Sequence, residues 1–363
     1  MEESVRWMSR ALALARRGFG ATSPNPPVGA VVLRDGRPVS EDWHHAAGSP
    51  HAEALALTGA GELARGATLY VTLEPCVHTG KRTPPCAPAI ISAGVARVVI
   101  GCEDPNPLVS GGGVRALREA GVDVCEGVLR EAAERLIRPY ATRVRLSRPW
   151  VILKAGMTAD GKVATKTGES RWVTCEAARS AVHLLRAKAD AVVVGVGTVL
   201  ADDPRLTARE NPLSLPQPLR VVVDSRCRTP LGARLLGEDG PVLVATAPGA
   251  PEERVEALRD AGAEVVPFGG EGGRVALDQL FAELGRRGCN LALVEGGPRL
   301  AGALIEAGLV DEVRFFVAPM LFGGGRAVTE GDGPETIANG LALRQFRGRR
   351  VGRCVELSGI VER

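Results

Sequence analysis

The sequence predicts an α/β protein of two domains, each a sheet sandwiched between helices. Short apolar runs alternate with stretches of helical periodicity almost throughout. The later runs, such as AVVVGVG and LRVVVDS, are valine-rich without polar alternation, which suits largely parallel strands covered on both faces. A basic stretch ending at Pro149 interrupts the alternation, and 363 residues exceed what one core usually fills.

In chain order, MEESVRWMSRALALARRG sets Val5, Met8, Leu12 and Ala15 at helical spacing. It reads as an amphipathic helix, not a signal peptide. AVVL at 30–33 and RPVSEDW at 37–43 flank Asp35-Gly36, a hairpin signal. HAEALALTGAGELA reads as a helix with His51 in its first turn. ATLYVTL at 67–73 is a strand, CAPAIISAG a short helix, and ARVVIG at 96–101 another strand. GVRALREAG and VDVCEGV continue the alternation. LREAAERLIRPYATRVRLSRP is helical and then basic, so the boundary falls near Leu146, between domains 1–146 and 147–363. Beyond it WVILKAGM, ADAVVVGVG, LRVVVDS, PVLVATA, AEVVPF, NLALVEGG and DEVRFFVAPML read as strands. CEAARSAVHLLRAKA and PEERVEALRDAGA read as helices between them. The Gly- and Pro-rich stretches 204–218 and 322–334 read as loops.

A net charge of +3 with dispersed arginines argues against a nucleic-acid surface, yet leaves room for small anions. No apolar run reaches the length of a membrane span. A cytoplasmic protein with reduced cysteines is expected, which disfavours a Cys76–Cys86 disulfide.

His51, Glu53, Cys76 and Cys86 suggest a metal centre. One His and two Cys make three zinc ligands and leave a position open for water. Glu53, two residues after His51, is placed to move a proton. Each cysteine follows proline where a helix should start, and helix N-termini favour thiolates. His78 competes with His51 as the nitrogen ligand. H-x-E followed by P-C and a later Cys matches the signature of zinc-dependent nucleobase deaminases, though nine residues separate these cysteines. In the second half, VVVGVGTVLADDPRLT has Leu200 where a third glycine would complete a dinucleotide fingerprint. LALVEGGPRLAGALIEAG offers a strand, a glycine turn and a helix start at Pro298, suited to a phosphate. Ser225 and Arg226 end another strand and are candidates for a second phosphate.

Taken together, SPNPPVG, PHAE, YVTLEPC, TPPC, AGVARVV and DPNPLV in the first half carry a resemblance that GESRWVT, LLRA, VGTVLADDPRLT, VVDS, VEGGPRLAGAL and GLVDE continue in the second. The chain resembles the bifunctional riboflavin-biosynthesis deaminase/reductase family over nearly its whole length. The resemblance implies a three-layer cytidine-deaminase-like domain and a dihydrofolate-reductase-like domain. The first would deaminate 2,5-diamino-6-ribosylamino-4(3H)-pyrimidinone 5′-phosphate. The second would use NADPH to reduce the ribosyl chain, giving 5-amino-6-(5-phosphoribitylamino)uracil. It implies one zinc ion on His51, Cys76 and Cys86, with Glu53 as proton shuttle. NADPH contacts would be Gly156, Trp172, Thr198, Asp202, Ser225 and Gly297, Pro298, Arg299, Leu300, Ala301, Gly302 and Ala303. Reductase substrate contacts would be Ser170, Arg186, Leu206, Arg209 and Glu295, the arginines serving as forks for the 5′-phosphate. Asn25, His78, Lys81 and Asn106 are candidate deaminase substrate contacts, with Arg82 beside them. Lys154, near Gly156, and Asp160 are further candidate contacts in this half, and Lys154 and Glu295 are candidate acids for the reduction. A homo-oligomer acting on phosphorylated pyrimidines, without nucleic acid or membrane, is the expected assembly. Val77, Leu55, Gly112 and the lengthened Cys76–Cys86 loop depart from the family pattern. Rival readings are a cytidine or tRNA adenosine deaminase with an accessory domain, and a zinc-structured binding protein.

Overall fold

The computed structural model describes residues 2–77, 83–209 and 215–362. It divides into two compact units, residues 1–147 and 148–363. The first contains α1 (Glu2–Ala15), β1 (Gly29–Arg34), β2 (Arg37–Trp43), α2 (Ala52–Ala60), β3 (Thr68–Leu73), α3 (Cys86–Ser92), β4 (Arg97–Cys102), α4 (Gly112–Glu119), β5 (Asp123–Glu126) and α5 (Arg130–Leu146). Its sheet has the order β2-β1-β3-β4-β5. β1 is antiparallel to β2 and β3, while β3, β4 and β5 are parallel.

The central strands β1, β3 and β4 are buried almost throughout. That requires cover on both faces, and the helices form two groups: α1 touches α5, while α2 touches α3 and α3 touches α4. α1 meets the core through Trp7, Met8, Ala11, Leu12, Leu14 and Ala15. Val5, expected on that face, is 40% exposed. The carboxyl ends of β3 and β4 deliver Glu74–Cys76 and Asp104–Asn106 to one edge, the usual ligand side of parallel strands.

The second unit contains β6 (Trp150–Thr158), β7 (Lys162–Ala164), α6 (Glu176–Lys188), β8 (Ala191–Gly195), α7 (Val196–Asp202), β9 (Leu219–Val223), β10 (Val242–Thr246), α8 (Glu252–Asp260), β11 (Glu264–Pro267), α9 (Leu277–Arg286), β12 (Leu291–Val294), α10 (Pro298–Glu306), β13 (Glu312–Ala318), β14 (Arg326–Ala327), β15 (Leu343–Val351) and β16 (Cys354–Val361). The large sheet has the order β11-β10-β9-β8-β12-β6-β13-β16-β15. From β11 to β13 every pairing is parallel. β16 and β15 then add as an antiparallel edge.

That edge hairpin has no counterpart among the strands expected from sequence. β15 is LRQFRGRRV and is exposed over most of its length, so it lacks an apolar signal. Pairing with β16, not burial of its own side chains, makes it a strand. β14, inside the expected loop 322–334, exists through its ladder to β7.

At the start of the unit, Arg148 grips Asp311. Its Nη1 and Nη2 donate to the two carboxylate oxygens at 2.6 and 2.9 Å, and the Val151 amide donates to Oδ2 at 2.8 Å. Both side chains are buried. Asp311→Ala leaves an uncompensated buried guanidinium, so it should destabilise this unit by about 3–5 kcal/mol. Denaturant unfolding of the intact chain checks this.

Candidate functional site

His51 is the N-cap residue of α2, with extended backbone, and Glu53 lies in the first turn behind it. Cys86 is the first residue of α3, capped by Pro85. Cys76 does not begin a helix, contrary to expectation; it stands in the irregular segment after β3. The three ligand atoms nevertheless converge within 4.8 Å of one another. His51 Nδ1 lies 3.2 Å from Cys86 Sγ and 3.7 Å from Cys76 Sγ. A tetrahedral zinc with N and S ligands at about 2.0 and 2.3 Å separates those ligands by about 3.5 Å. The donor set and its spacing therefore fit zinc.

Thr83 Oγ1 lies 3.1 Å from His51 Nε2, which leaves Nδ1 to face the thiols. Thr83 opens the TPPC stretch, but nothing in the sequence assigned it a role of its own. The neighbouring Cys76 thiol, then burial and Glu53, push the Cys86 thiol well above its ordinary value. A bound cation reverses that preference, because a coordinated thiol loses its proton. Glu53 is 3% exposed, and its burial raises its carboxyl.

His44 completes this pocket. Its ring meets His51 edge-on at 5.3 Å between centroids. Its Nδ1 is 3.1 Å from Pro50 O and its Nε2 is 3.1 Å from Asn25 Nδ2. Since a carbonyl only accepts, Nδ1 donates and Nε2 accepts from Asn25. Asn25 thus belongs to the pocket, held by a histidine. Asn106 sits past β4, where its Oδ1 accepts from Leu108 N and its own amide donates to Asp104 Oδ1. His78, Lys81 and Arg82 lie outside the described residues.

Glu74, two residues before Cys76, is 2% exposed and turned inward. Its carboxylate accepts from the amides of Asp104, Gly111, Gly113 and Val114, at 2.9 to 3.3 Å. It caps α4 and ties the Asn106 loop to the cysteine segment. A Cβ on Gly113 would fall 2.0 Å from Pro75 O, so the close approach demands glycine. Val77 and Gly112, two departures from the family pattern, are neighbours: a Cβ at 112 would fall 2.9 Å from Val77 Cγ2.

The second unit holds a cavity of about 1700 Å³ across the carboxyl ends of β6, β12, β8 and β9. Gly156, Trp172, Thr198, Asp202, Ser225, Gly297, Pro298, Arg299, Leu300 and Ala303 line it, as do Ser170, Arg186, Leu206, Arg209, Glu295 and Lys154. Ala301 and Gly302 do not. Ala301 is packed into the core, and Gly302 lies under the Glu330 backbone, where a Cβ would fall 1.8 Å from Glu330 O. Both are thus covered, one by the core and the other by the backbone at Glu330. Arg226 does not line it either, whereas Arg228 and Arg274 do. Asp160 lies off the cavity and accepts from the Phe322 and Gly323 amides at 3.1 and 2.8 Å.

The cavity fits a dinucleotide. It exceeds the roughly 300–1,000 Å³ that encloses a drug-sized ligand. Gly297 caps α10, with Pro298 at its first position, so free amides and the helix dipole face in. Trp172 is 64% exposed, with Arg179 4.6 Å above its ring, and presents an aromatic face.

Glu295 is the electrostatic centre. Lys154 Nζ donates to it at 2.9 Å, and Arg186 donates from Nε and Nη2 at 2.5 and 3.1 Å. Burial alone would raise this carboxyl, but Arg186 and then Lys154 outweigh burial and hold it well below the usual range. Glu295 is thereby an ionised anchor and not the proton donor the sequence left open. Arg186 also spends Nη1 on Thr207 O at 3.2 Å. Arg209 keeps Nη2 on His183 at 2.8 Å. Burial, then Arg186, Arg205 and Arg234, lower the Arg209 guanidinium from its ordinary value. Such crowding of cations marks a place for an anion.

These features define a class: a zinc-binding deaminase region joined to a dinucleotide-dependent reductase domain. Residues 1–102 match the cytidine and deoxycytidylate deaminase zinc-binding region, and 149–355 match the RibD C-terminal domain. The riboflavin biosynthesis protein RibD of Aquifex aeolicus is 43% identical over 97% of this chain and 96% of its own length. The structure of Acinetobacter baumannii RibD, form 1, superposes with a TM-score of 0.90 at 38% identity, covering 100% of this chain and 99% of that one. A Thermotoga maritima structure, a diaminohydroxyphosphoribosylaminopyrimidine deaminase/5-amino-6-(5-phosphoribosylamino)uracil reductase, gives 0.85 at 35% identity and covers 99% of both chains. The chain belongs to the RibD family of bifunctional riboflavin biosynthesis enzymes.

The Glu295 carboxyl, lowered on folding, contributes stability that is complete above its unfolded value of about 4.3 and is lost as pH falls towards its lower folded value. The stability difference between wild type and Glu295→Gln should therefore shrink on acidification below about pH 4, as urea titrations at stepped pH would measure.

Proposed function

We propose that the first unit removes the 2-amino group of 2,5-diamino-6-ribosylamino-4(3H)-pyrimidinone 5′-phosphate, and that the second reduces the ribosyl chain of the product to ribityl. The observation that carries this is the convergence of His51 Nδ1 and two thiols beside a buried Glu53, in one chain with a dinucleotide cavity crowded by arginines. His51, Cys76 and Cys86 would hold the zinc. When bound, zinc makes water acidic at neutral pH and NADPH brings a hydride.

Glu53 takes a proton from water and delivers it to the departing amine, so ammonia leaves neutral. Burial keeps Glu53 apart from bulk water while the proton is in transit. His44, receiving a hydrogen bond from Asn25 Nδ2, fixes that amide so its oxygen faces the ring. Asn106 is held by Asp104 at the opposite strand end.

In the second unit Glu295 holds Lys154 and Arg186 at the reacting end of the cavity. Lys154 is the better-placed proton source for the reduced chain, because Glu295 stays ionised. Arg209, with Arg234 beside it and Arg186 behind, meets the 5′-phosphate. The α10 N-terminus takes a cofactor phosphate, and Ser225, Arg228 and Arg274 lie at the β9 end of the cavity.

Incubation with the diaminopyrimidinone phosphate and NADPH should release ammonia and then oxidise NADPH. Glu53→Gln should slow ammonia release by about 10²–10⁴-fold while zinc content is unchanged; near-normal release would remove Glu53 from the mechanism. Arg209→Ala should raise the substrate KM at saturating NADPH by at least about tenfold, the loss of one charge-assisted phosphate contact. An unchanged KM would move the phosphate site elsewhere.

A further inference from the structure

Cys175 and Cys354 lie outside both sites, and the chemistry above uses neither. They stand 179 residues apart in sequence, yet the Cys175 amide donates to Cys354 Sγ at 3.2 Å. Gly352, two residues before Cys354, lies against Cys175: a Cβ there would fall 3.2 Å from Cys175 Sγ. Cys175 Sγ also reaches Val351 O at 3.3 Å. Cys354 is sealed from solvent, whereas Cys175 is only partly buried. A partly exposed sulfur with a second, buried cysteine behind it is the arrangement of an attacking and a resolving thiol.

The local structure explains its reactivity. Cys175 is the N-cap residue of α6, a helix of 13 residues. Burial alone would raise its thiol, but the Cys354 thiol and the amides of Ala178, Cys354 and Arg353 outweigh burial and bring it down to about 7. A thiol titrating near ambient pH combines thiolate fraction with nucleophilicity. Cys102 shows the contrast: burial pushes that thiol up to about 12.

We propose that Cys175 and Cys354 form a dithiol that hydroperoxides oxidise to a disulfide, stapling the start of α6 to the β15–β16 hairpin. The Cys175 thiolate attacks one peroxide oxygen, the O–O bond breaks, and the sulfur becomes a sulfenic acid as the other oxygen leaves as hydroxide, which takes up the proton the Cys175 thiol released and becomes water. The Cys354 sulfur then bonds to the Cys175 sulfur and displaces hydroxide, which takes the Cys354 proton and leaves as a second water. Two thiols and one hydrogen peroxide thus give one disulfide and two waters.

The staple acts on the cofactor cavity, a consequence that rests on the reductase reading. Thr174 and Glu176, on either side of Cys175, line the cavity. Thr174 is tight against β6: a Cβ on Gly156 would fall 2.9 Å from Thr174 Cγ2. Closing two sulfurs to about 2.05 Å shifts this segment. A displacement of the order of 1 Å in such a site can cost about 100-fold in rate.

The test treats the full chain, in buffer with zinc, with one equivalent of hydrogen peroxide. After quenching, thiols counted in denaturant with a zinc chelator should fall from eight to six, and peptide mapping should show a Cys175–Cys354 cross-link that dithiothreitol reverses. NADPH oxidation should slow by about tenfold or more and recover on reduction, while ammonia release is unaffected. Cys175→Ser should keep its remaining thiols under the same treatment; this variant changes a partly exposed sulfur and avoids the folding risk of altering Cys354. Oxidation of Cys175 without the cross-link overturns the dithiol. The cross-link with undiminished NADPH oxidation overturns its coupling to the cavity. Failure of untreated protein to oxidise NADPH at all would strike the reductase reading itself, which the thiol count does not depend on.

Discussion

A carboxylate removed from water must find donors, and each half of this chain is arranged around one that has done so. Glu74 follows β3 and Glu295 follows β12, each at the carboxyl end of a central strand. Glu74 is satisfied by four backbone amides. Those amides come from the segment between β4 and α4 and from the first turn of α4, so meeting the demand also sets the shape of the deaminase pocket. Glu295 is satisfied by two cations. The second demand is met by charge, so it leaves a field at the site as well as a shape.

The difference suits the two chemistries. Hydrolytic deamination needs a fixed metal and a proton carrier, and neutral dipoles around Glu74 hold the scaffold without competing for the metal. Reduction of a phosphorylated sugar needs anions gathered in one place. Glu295 anchors Lys154 and Arg186, while Arg209, Arg205 and Arg234 crowd together beside Arg186. Arg186 serves that anchor first, because its three donor nitrogens are turned to Glu295 and Thr207.

Periodicity in the sequence identified most strands and helices of both units, because their apolar faces are written into it. The C-terminal hairpin escaped, since β15 is an arginine-rich strand that exists through its ladder to β16. For the sites, chemistry-bearing residues at telling spacing were legible: His51, Glu53, Cys76, Cys86, and the glycine turn before Pro298. Their partners were not. Thr83, Arg228 and Arg274 carry no spacing signal, and only folding brings them to the pockets.

Sequence alone determined the donor types, the strand–helix alternation and the family, for these depend on residue identity and order. Tertiary structure decided everything that depends on direction. It turned His51 Nδ1 to the thiols by giving Nε2 to Thr83, and set Ala301 in the core and Gly302 under the Glu330 backbone. It made Glu295 an ionised anchor by setting two cations against it. The reason is physical: a side chain's charge, proton and free lone pair belong to its surroundings, and those surroundings come from residues distant in the chain.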